Sequence, residues 1–531
     1  MASLDAEALD ISYSNLIQLT LGRTLEGFVP NHVSGPEKDV GITEPYVGAR
    51  IALAIYKKWG DAWVIDLIID ALLSWNDWLW RRRRGEGVFA GADGLADLMC
   101  LGSDPNFSAF PVNGGLNALQ DARYESGLDN SPMYDGDDGN GPPGPVSFDN
   151  VTTHHMNLYD VGMTGLFLSD TQALIELAQT FRPAAVAALS ERLARVQAAL
   201  QAHLWQPEAG LFTNTLFNGS TYARSSPTNL FPLISGAATP AQAAAGAAWA
   251  ASPGGLCLNQ SHAPAPGAVM LSQWWGHGHD NCGCASPECM RDVVNAPPYY
   301  FIRSEAVVLP ASAGAAPGRL PLALWFSATR ADYALTNSTS APPDAEGNYS
   351  LVRVEGYCFD APPADASWGA TQLTSWWSAE RGDFQACGTP GCLFDAASAR
   401  YAAAGPICWA WNGTDYPHWP CTFGGPSIAR ADAAFLDNSY WRGRIWGPQL
   451  MLLYLGLSNE AYAAEPAVQA ARAALVAQGR ALVVQEWTLF RQVTENYNGL
   501  IGVGEDVGNA DPMYTWGALP ALVAFIEAGK Y

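Results

Sequence analysis

The stretch Tyr124-Glu-Ser-Gly-Leu-Asp-Asn-Ser-Pro-Met-Tyr-Asp135 sets a carboxyl, Asp129, in a turn-forming Gly-x-Asp-Asn-x-Pro frame beside two tyrosines. A carboxyl pressed against aromatic faces loses water, and its pKa rises as a general acid requires. The plainer role for such an Asp is an Asx turn or a helix cap. Glu495, in Thr494-Glu-Asn-Tyr-Asn-Gly499, is a lone acid in a polar, aromatic turn after a long helical run, and Glu505 follows in the same loop. Either can activate water. Between these segments lies Tyr440-Trp-Arg-Gly-Arg-Ile-Trp-Gly-Pro448, where indoles and guanidinium groups offer stacking faces and hydrogen-bond forks together. Two acids among aromatic rings are the equipment of glycoside hydrolysis. No Walker loop, dinucleotide fingerprint, G-x-S-x-G elbow or H-E-x-x-H helix accompanies them.

Other chemistries are weaker. Asp135-Gly-Asp-Asp-Gly-Asn140 resembles a fragment of a calcium loop but lacks the closing Glu. Nine of the ten cysteines fall within 257–421, and Cys282, Cys284 and Cys289 lie near His277 and His279, a spacing open to zinc or to disulfides. Seven sequons, at Asn106, Asn150, Asn218, Asn259, Asn337, Asn348 and Asn412, favour disulfides and a secretory route through the endoplasmic reticulum lumen or out of the cell. At least four disulfides are expected within 257–421. The opening Met1-Ala-Ser-Leu-Asp-Ala-Glu lacks the basic residues and apolar core of a signal peptide.

The charge balance, 28 − 51 = −23, disfavours a nucleic-acid or anionic-membrane partner. The one basic run, Arg81–Arg84, reads as a solvated helix end, and no apolar run reaches the roughly 18 residues of a membrane span. Aromatic residues make 11% of the chain; most fill a core, and their flat faces also suit sugar rings.

The elements that must hold these residues are mostly helices. Apolar spacing predicts helices over Thr43–Trp59, stopped by Gly60, and after Asp61. Others are expected after the Ser169/Gln172 capping box as far as Phe181, after Pro183, and over Ile445–Tyr454, Ala467–Phe490 and Pro512–Ala528. From about 256 to 423 helical periodicity disappears. Arg303-Ser-Glu returns as Arg353-Val-Glu, and Phe326-Ser-Ala-Thr-Arg returns as Trp377-Ser-Ala-Glu-Arg. The offsets are 353 − 303 = 50 and 377 − 326 = 51, with a fainter third copy from Tyr401. Three β-rich units at this period predict an inserted trefoil-like module of hairpins, sugar-binding or purely structural.

The motifs Tyr124-Glu-Ser-Gly-Leu-Asp-Asn-Ser-Pro, Gly425-Pro-Ser-Ile-Ala-Arg430, Tyr440-Trp-Arg-Gly-Arg-Ile-Trp-Gly-Pro and Glu495-Asn-Tyr-Asn together resemble glycoside hydrolase family 63. That family holds processing α-glucosidase I, other α-glucosidases and mannosylglycerate hydrolases. The resemblance implies an (α/α)6 barrel built from 1–255 and 424–531, with 256–423 inserted. It implies an inverting exo-α-glycosidase that acts on α-glucosides of oligosaccharides, with a mannosylglycerate-type hydrolase of a small glycoside as the alternative. An inactive carbohydrate-binding protein is the reading from another class. Asp129 matches the general acid and Glu495 the base, with Glu505 as fallback. Tyr124, Trp441, Arg442 and Trp446 would line the sugar subsite, and Glu44 and Trp516 are further matches. No cofactor or metal is implied; the expected partner is an oligosaccharide or small glycoside. The family's aromatic-Trp-Asp motif on the first barrel helix has no counterpart before Ile11. The chain is therefore expected to start after that helix, N-terminally truncated, with apolar helix faces uncovered.

Overall fold

Ala49, Ala52 and Ile55 recur at three-residue steps and are buried on one side of a helix that Gly60 ends in the left-handed region, at φ +76°. Helical residues outnumber strand residues in the computed structural model. It describes residues 9–34, 37–85, 97–105, 117–139, 141–276, 280–295, 299–340, 343–344, 346–365, 367–506 and 510–529. In chain order the α-helices are α1 (Leu9–Leu21), α2 (Gly48–Trp59), α3 (Ala62–Arg82), α4 (Leu119–Glu125), α5 (Val161–Phe181) and α6 (Val186–Ala199). There follow α7 (Pro240–Ala251), α8 (Pro287–Asn295), α9 (Pro390–Ser398), α10 (Gly447–Leu457), α11 (Pro466–Phe490) and α12 (Leu519–Glu527).

Five elements touch in succession: α2 packs on α5, α5 on the 3-10 segment Pro227–Ser235, that segment on α10, and α10 on α12. A second layer backs them, with α3 on α2 and α5, α6 on α5, α7 on α11, and α11 on α10 and α12. Shared core residues run from Trp78 and Phe167 through Leu230 to Leu450 and Val523. Segments leading into the inner helices therefore gather at one end of the layer.

Several local expectations change. The helices expected from Thr43 and Pro512 begin only at Gly48 and Leu519. The helix ending at Phe181 starts at Val161, not at Ser169: Asp160 accepts a hydrogen bond from Met163 N at 2.7 Å and caps it, while Ser169 lies buried inside. The Arg81–Arg84 run is solvated only in part. Arg81 faces water, but Arg83 is fully buried, paired with Glu125 at 2.7 Å and Asp104 at 3.2 Å. Asp104 and Glu125, distant in sequence, supply the charge that burial demands.

Residues 269–411 form three like units. Each has a hairpin and a long strand: Val269–Gly276 and Asn281–Cys284 with Tyr299–Pro310; Arg319–Ser327 and Asp332–Thr336 with Ser350–Phe359; and Ala370–Ser378 and Asp383–Cys387 with Ala402–Trp411. The three long strands pair with one another and close the set. At the centre, Asp280 accepts from Tyr333 N, Asp332 from Phe384 N, and Asp383 from Asn281 N, at 3.1, 3.0 and 3.3 Å. Each unit thus bonds the next in a cycle. Tyr299, Tyr349 and Tyr401 donate their hydroxyls to the same three carboxyls. Burial pushes all three carboxyls above their ordinary range, and their closeness disfavours three charges together. The hairpin with Trp274 and Asp280 is the first member of the series, absent from the repeats visible in the sequence.

Four disulfides lie in 257–421, as expected: Cys257–Cys421, Cys284–Cys289, Cys358–Cys408 and Cys387–Cys392. The Cys284–Cys289 bond uses two of the thiolates a zinc site needs; Cys282 stays a buried thiol. His277 and His279 lie outside the described residues, as do Asn106 and Asn140. Cys257–Cys421 closes a 164-residue span at the stem of the β-module, where Gln478 on α11 donates to both cysteine carbonyls. Replacing both cysteines with Ala is expected to lower unfolding stability by about 2–4 kcal/mol. Non-reducing denaturant titration measures this, and an unchanged midpoint refutes it.

Candidate active site

Each wall of one cleft among the helices is a segment that leads into an inner helix. Glu44 lies just before α2. Tyr124 and Asp129 close α4 and head towards α5. Tyr440 and Trp441 precede α10, and Glu495, Tyr514 and Trp516 precede α12. These side chains, with Asn31, His32 and Gly127, line a cavity of about 480 Å³, within the usual range for small-molecule sites.

Asp129 is carried by a tight loop. Gly127 sits at φ +68°, Ser126 Oγ accepts from Leu128 N at 3.0 Å, and Ser131 caps the short turn Pro132–Tyr134. The Arg83–Glu125 pair fixes this loop to the Glu44 segment, because Glu125 also accepts from Thr43 N at 3.1 Å and Gly102 N at 2.7 Å. Burial pushes Asp129 up to about 6, and the Glu495 charge adds to the rise. Glu44 goes up to about 8, through burial first and Asp129 second, and accepts from Asn31 Nδ2 at 3.0 Å. Burial also holds Glu495 above the ordinary carboxylate range, while the Tyr440 hydroxyl donates to it at 3.3 Å. At neutral pH the cavity thus presents one protonated carboxyl, Glu44, and two acids poised to exchange protons.

Glu495 stands where α11 ends at Arg491, in the left-handed region, and the chain returns as the strand Asn496–Tyr497, paired with Ile445–Trp446. Arg444 fixes this return: it is fully buried, donates to the Asn496 side chain and pairs with Asp506 at 2.9 Å.

The structure brings Tyr124, Asp129, Trp441, Glu495, Glu44 and Trp516 to one cavity. Three other residues lie elsewhere. Arg442 does not line it; its guanidinium is held between Asp135 at 2.7 Å and Asp437 at 2.6 Å. Trp446 is fully buried and stacks on Trp441 with ring centres 3.7 Å apart, so it braces the wall from behind. The Glu505 carboxyl accepts from Gln492 and is not among the lining residues. The calcium-loop resemblance fails on charge: Asp135 is held by Arg442 and Arg224, and Asp138 by Arg123.

Asn130 was invisible as a functional residue. Its side-chain oxygen accepts from Trp441 N at 2.8 Å and its amide donates to Ser439 O at 3.3 Å. It ties the Asp129 loop to the aromatic wall. Asn130→Ala is expected to cut kcat/KM about tenfold through misplacement of the acid, with little change in global unfolding. Steady-state kinetics that match the parent would show the tie to be dispensable.

A helical layer with carboxyls gathered in an aromatic cavity is the frame of a glycoside hydrolase. Residues 10–265 match the mannosylglycerate hydrolase MGH1-like glycoside hydrolase domain, a little under half of the chain. Among solved structures, the chain is similar to the GH63 mannosylglycerate hydrolase from Thermus thermophilus in complex with Tris and D-glycerate. The two are 15% identical, over 99% of this chain and 90% of that one, with a TM-score of 0.48. More distant likenesses are neutral trehalase from Saccharomyces cerevisiae (13% identity, 40% of this chain and 45% of that one, TM-score 0.30) and a rhamnosidase from Klebsiella oxytoca with rhamnose bound (14%, 43% and 34%, 0.26). No curated protein matches the chain significantly.

Proposed function

We propose that the chain is an inverting exo-α-glycosidase that cleaves a terminal hexosyl residue from a neutral α-glycoside, such as an α-glucosyl oligosaccharide. The observation that carries this is the shared cavity of Asp129 and Glu495, with Asp129 held near 6. Asp129 protonates the glycosidic oxygen, and Glu495 takes a proton from water attacking the opposite face. Inversion asks for a carboxyl separation of about 6.5–9.5 Å, room for that water. Glu44, protonated, donates to a sugar hydroxyl, while Trp441 and Trp516 give flat apolar faces to the ring. The inner arc from α2 to α12 belongs in this proposal to an (α/α)6 toroid. Four disulfides and an exposed sequon residue, Asn218, support passage through an oxidising, secretory compartment.

The family match favours a second substrate, mannosylglycerate. The lining argues for the neutral one: Glu44, Asp129 and Glu495 supply acid, and no Lys or Arg lines the cavity among the described residues. A glycerate carboxylate would meet no guanidinium to pair with. Purified chain incubated with an aryl α-glucoside, an aryl α-mannoside and mannosylglycerate, followed by proton NMR, tests this. Release of the β-anomer from a neutral substrate is expected. Cleavage of mannosylglycerate alone would reverse the substrate assignment, and cleavage of none would leave a binding protein.

The pH profile follows from the same two groups. Asp129 must be protonated, so kcat/KM should fall as pH rises through about 6. Glu495 must be ionised, so the acid limb should lie above the ordinary glutamate value. A kcat/KM that does not fall as pH rises through about 6 would contradict the assignment.

In a metal-free assay with chelator present, activity should persist, because the described groups complete the proton transfers. Loss on chelation, restored by a cation, would refute this.

A further inference from the structure

The three units of the β-module share one register, and that register exposes a difference. In the hairpins, Gln273 faces Gly283, Leu324 faces Leu335 and Ser375 faces Ala386. The same position is thus Gln, Leu and Ser. One residue past the clustered aspartates stand Asn281, Tyr333 and Phe384; two past stand Cys282, Ala334 and Gln385. The fold accepts apolar or small residues at all of these positions, since the sister units form the same hairpins with them. Yet Gln273, Asn281 and Gln385 converge on a single groove, between the first and third units.

That groove is a cavity of about 410 Å³. Gln273 is 3% exposed, and its side-chain oxygen is buried without a hydrogen-bond partner. A buried amide oxygen left unpaired is costly, and a ligand hydroxyl is a donor that would satisfy it. Trp275 and Tyr401 add aromatic walls. At the rim Arg303 pairs with Asp395, and Arg381 lies over the Tyr401 ring at 5.7 Å. The equivalent groove behind Arg353, which pairs with Asp292 in the same way, has Leu324 and Tyr333 in place of the amides. The third position has Ala403 where the others carry Arg, and no helix corresponding to α8 or α9.

We infer that this groove is a saccharide-binding subsite of the β-module, separate from the helical cavity, that takes a neutral hexosyl unit. Uncharged amides that donate and accept suit vicinal hydroxyls, aromatic faces suit the C–H side of a pyranose, and the Arg303–Asp395 pair offers a donor fork beside an acceptor without net charge. A phosphate or carboxylate ligand would meet Asp395 beside Arg303 and Arg381, so competition by inorganic phosphate separates the two ligand classes. The strand that carries Arg303 also touches the catalytic half, where Phe301 N donates to Asp506 O at 3.3 Å. A sugar held here lies on the same body as the cavity that cleaves one.

Methyl α-mannoside and methyl α-glucoside, titrated calorimetrically into the full chain, should report two sites. Gln273→Leu copies the sister residue Leu324 and so keeps the hairpin; Arg381→Ala alters the rim. Each should weaken one site at least tenfold and leave turnover of an aryl α-glycoside unchanged. A soaked crystal should show the hexoside against Gln273. A void of about 10 Å³ between Gln273 and Glu305 has room for one water. If that water alone satisfies the amide, Gln273→Leu will leave both sites intact, and the proposal fails. It also fails if only one site exists, or if inorganic phosphate displaces the sugar from the groove. Groove binding without turnover would sink the catalytic assignment and not this one.

Discussion

Asp129→Asn is expected to lower kcat/KM on an unactivated α-glycoside by ~1000-fold, the usual scale for loss of a positioned acid. The carboxyl sits in a lined cavity with its pKa pushed up to about 6 by burial, so it can carry a proton to the leaving oxygen. Asparagine keeps the size and cannot transfer that proton. A leaving group that departs without help, as in a glycosyl fluoride, should therefore be cleaved within about tenfold of the parent rate, because only the acid step is missing. The alkaline limb near pH 6 should vanish with the carboxyl. Equal losses on both substrates would mean that Asp129 positions the sugar and is not the acid.

Glu495→Gln should behave differently. Loss of the base is expected to cost ~1000-fold on both substrates, because water must be activated whatever the leaving group. The amide can still take the Tyr440 hydrogen bond, so the wall should keep its shape and sugar binding should stay measurable by calorimetry. Fluoride hydrolysis at the parental rate would remove Glu495 from the mechanism. Should Glu505→Gln abolish turnover instead, the base is Glu505, and the Gln492 bond that now occupies it must break when substrate binds.

Much of this site was legible because it is local. Asp129 lies in a short turn signalled by Gly127 and Pro132, and Trp441 and Glu495 lie in compact aromatic motifs. Arg442 and Arg83 were misread for the opposite reason. Their roles depend on Asp135 and Glu125, which sequence separates by 307 and 42 residues, and an isolated arginine looks solvated until its buried partner is known. Asn130 gives no signal of its own, since the turn explains it fully and its tie to Trp441 is tertiary. Helix ends were legible where a stop such as Gly60 is intrinsic. They were misjudged where burial extends a helix past a credible cap, as at Ser169, sunk in the core. In the β-module, repeats spaced by like residues stood out, but the first hairpin was hidden. Its agreement with the others rests on Asp280 and the strand register, not on a run of shared letters.

The aspartate cycle of that module has a bearing on the number of units. Each unit both gives and receives one bond, so removing one unit from this arrangement would leave one buried donor and one acceptor unmatched. A chain carrying only two such units is therefore expected to be less stable as an insert, or to complete the cycle with a copy from another molecule. The three differ where the cycle does not reach: the second unit has no helix after its hairpin, the third has Ala403 and Gly405 in place of the Arg-x-Glu pair, and the first and third share matching Cys–Cys clips. The positions that differ most among the units are therefore those on which closure of the cycle places no demand.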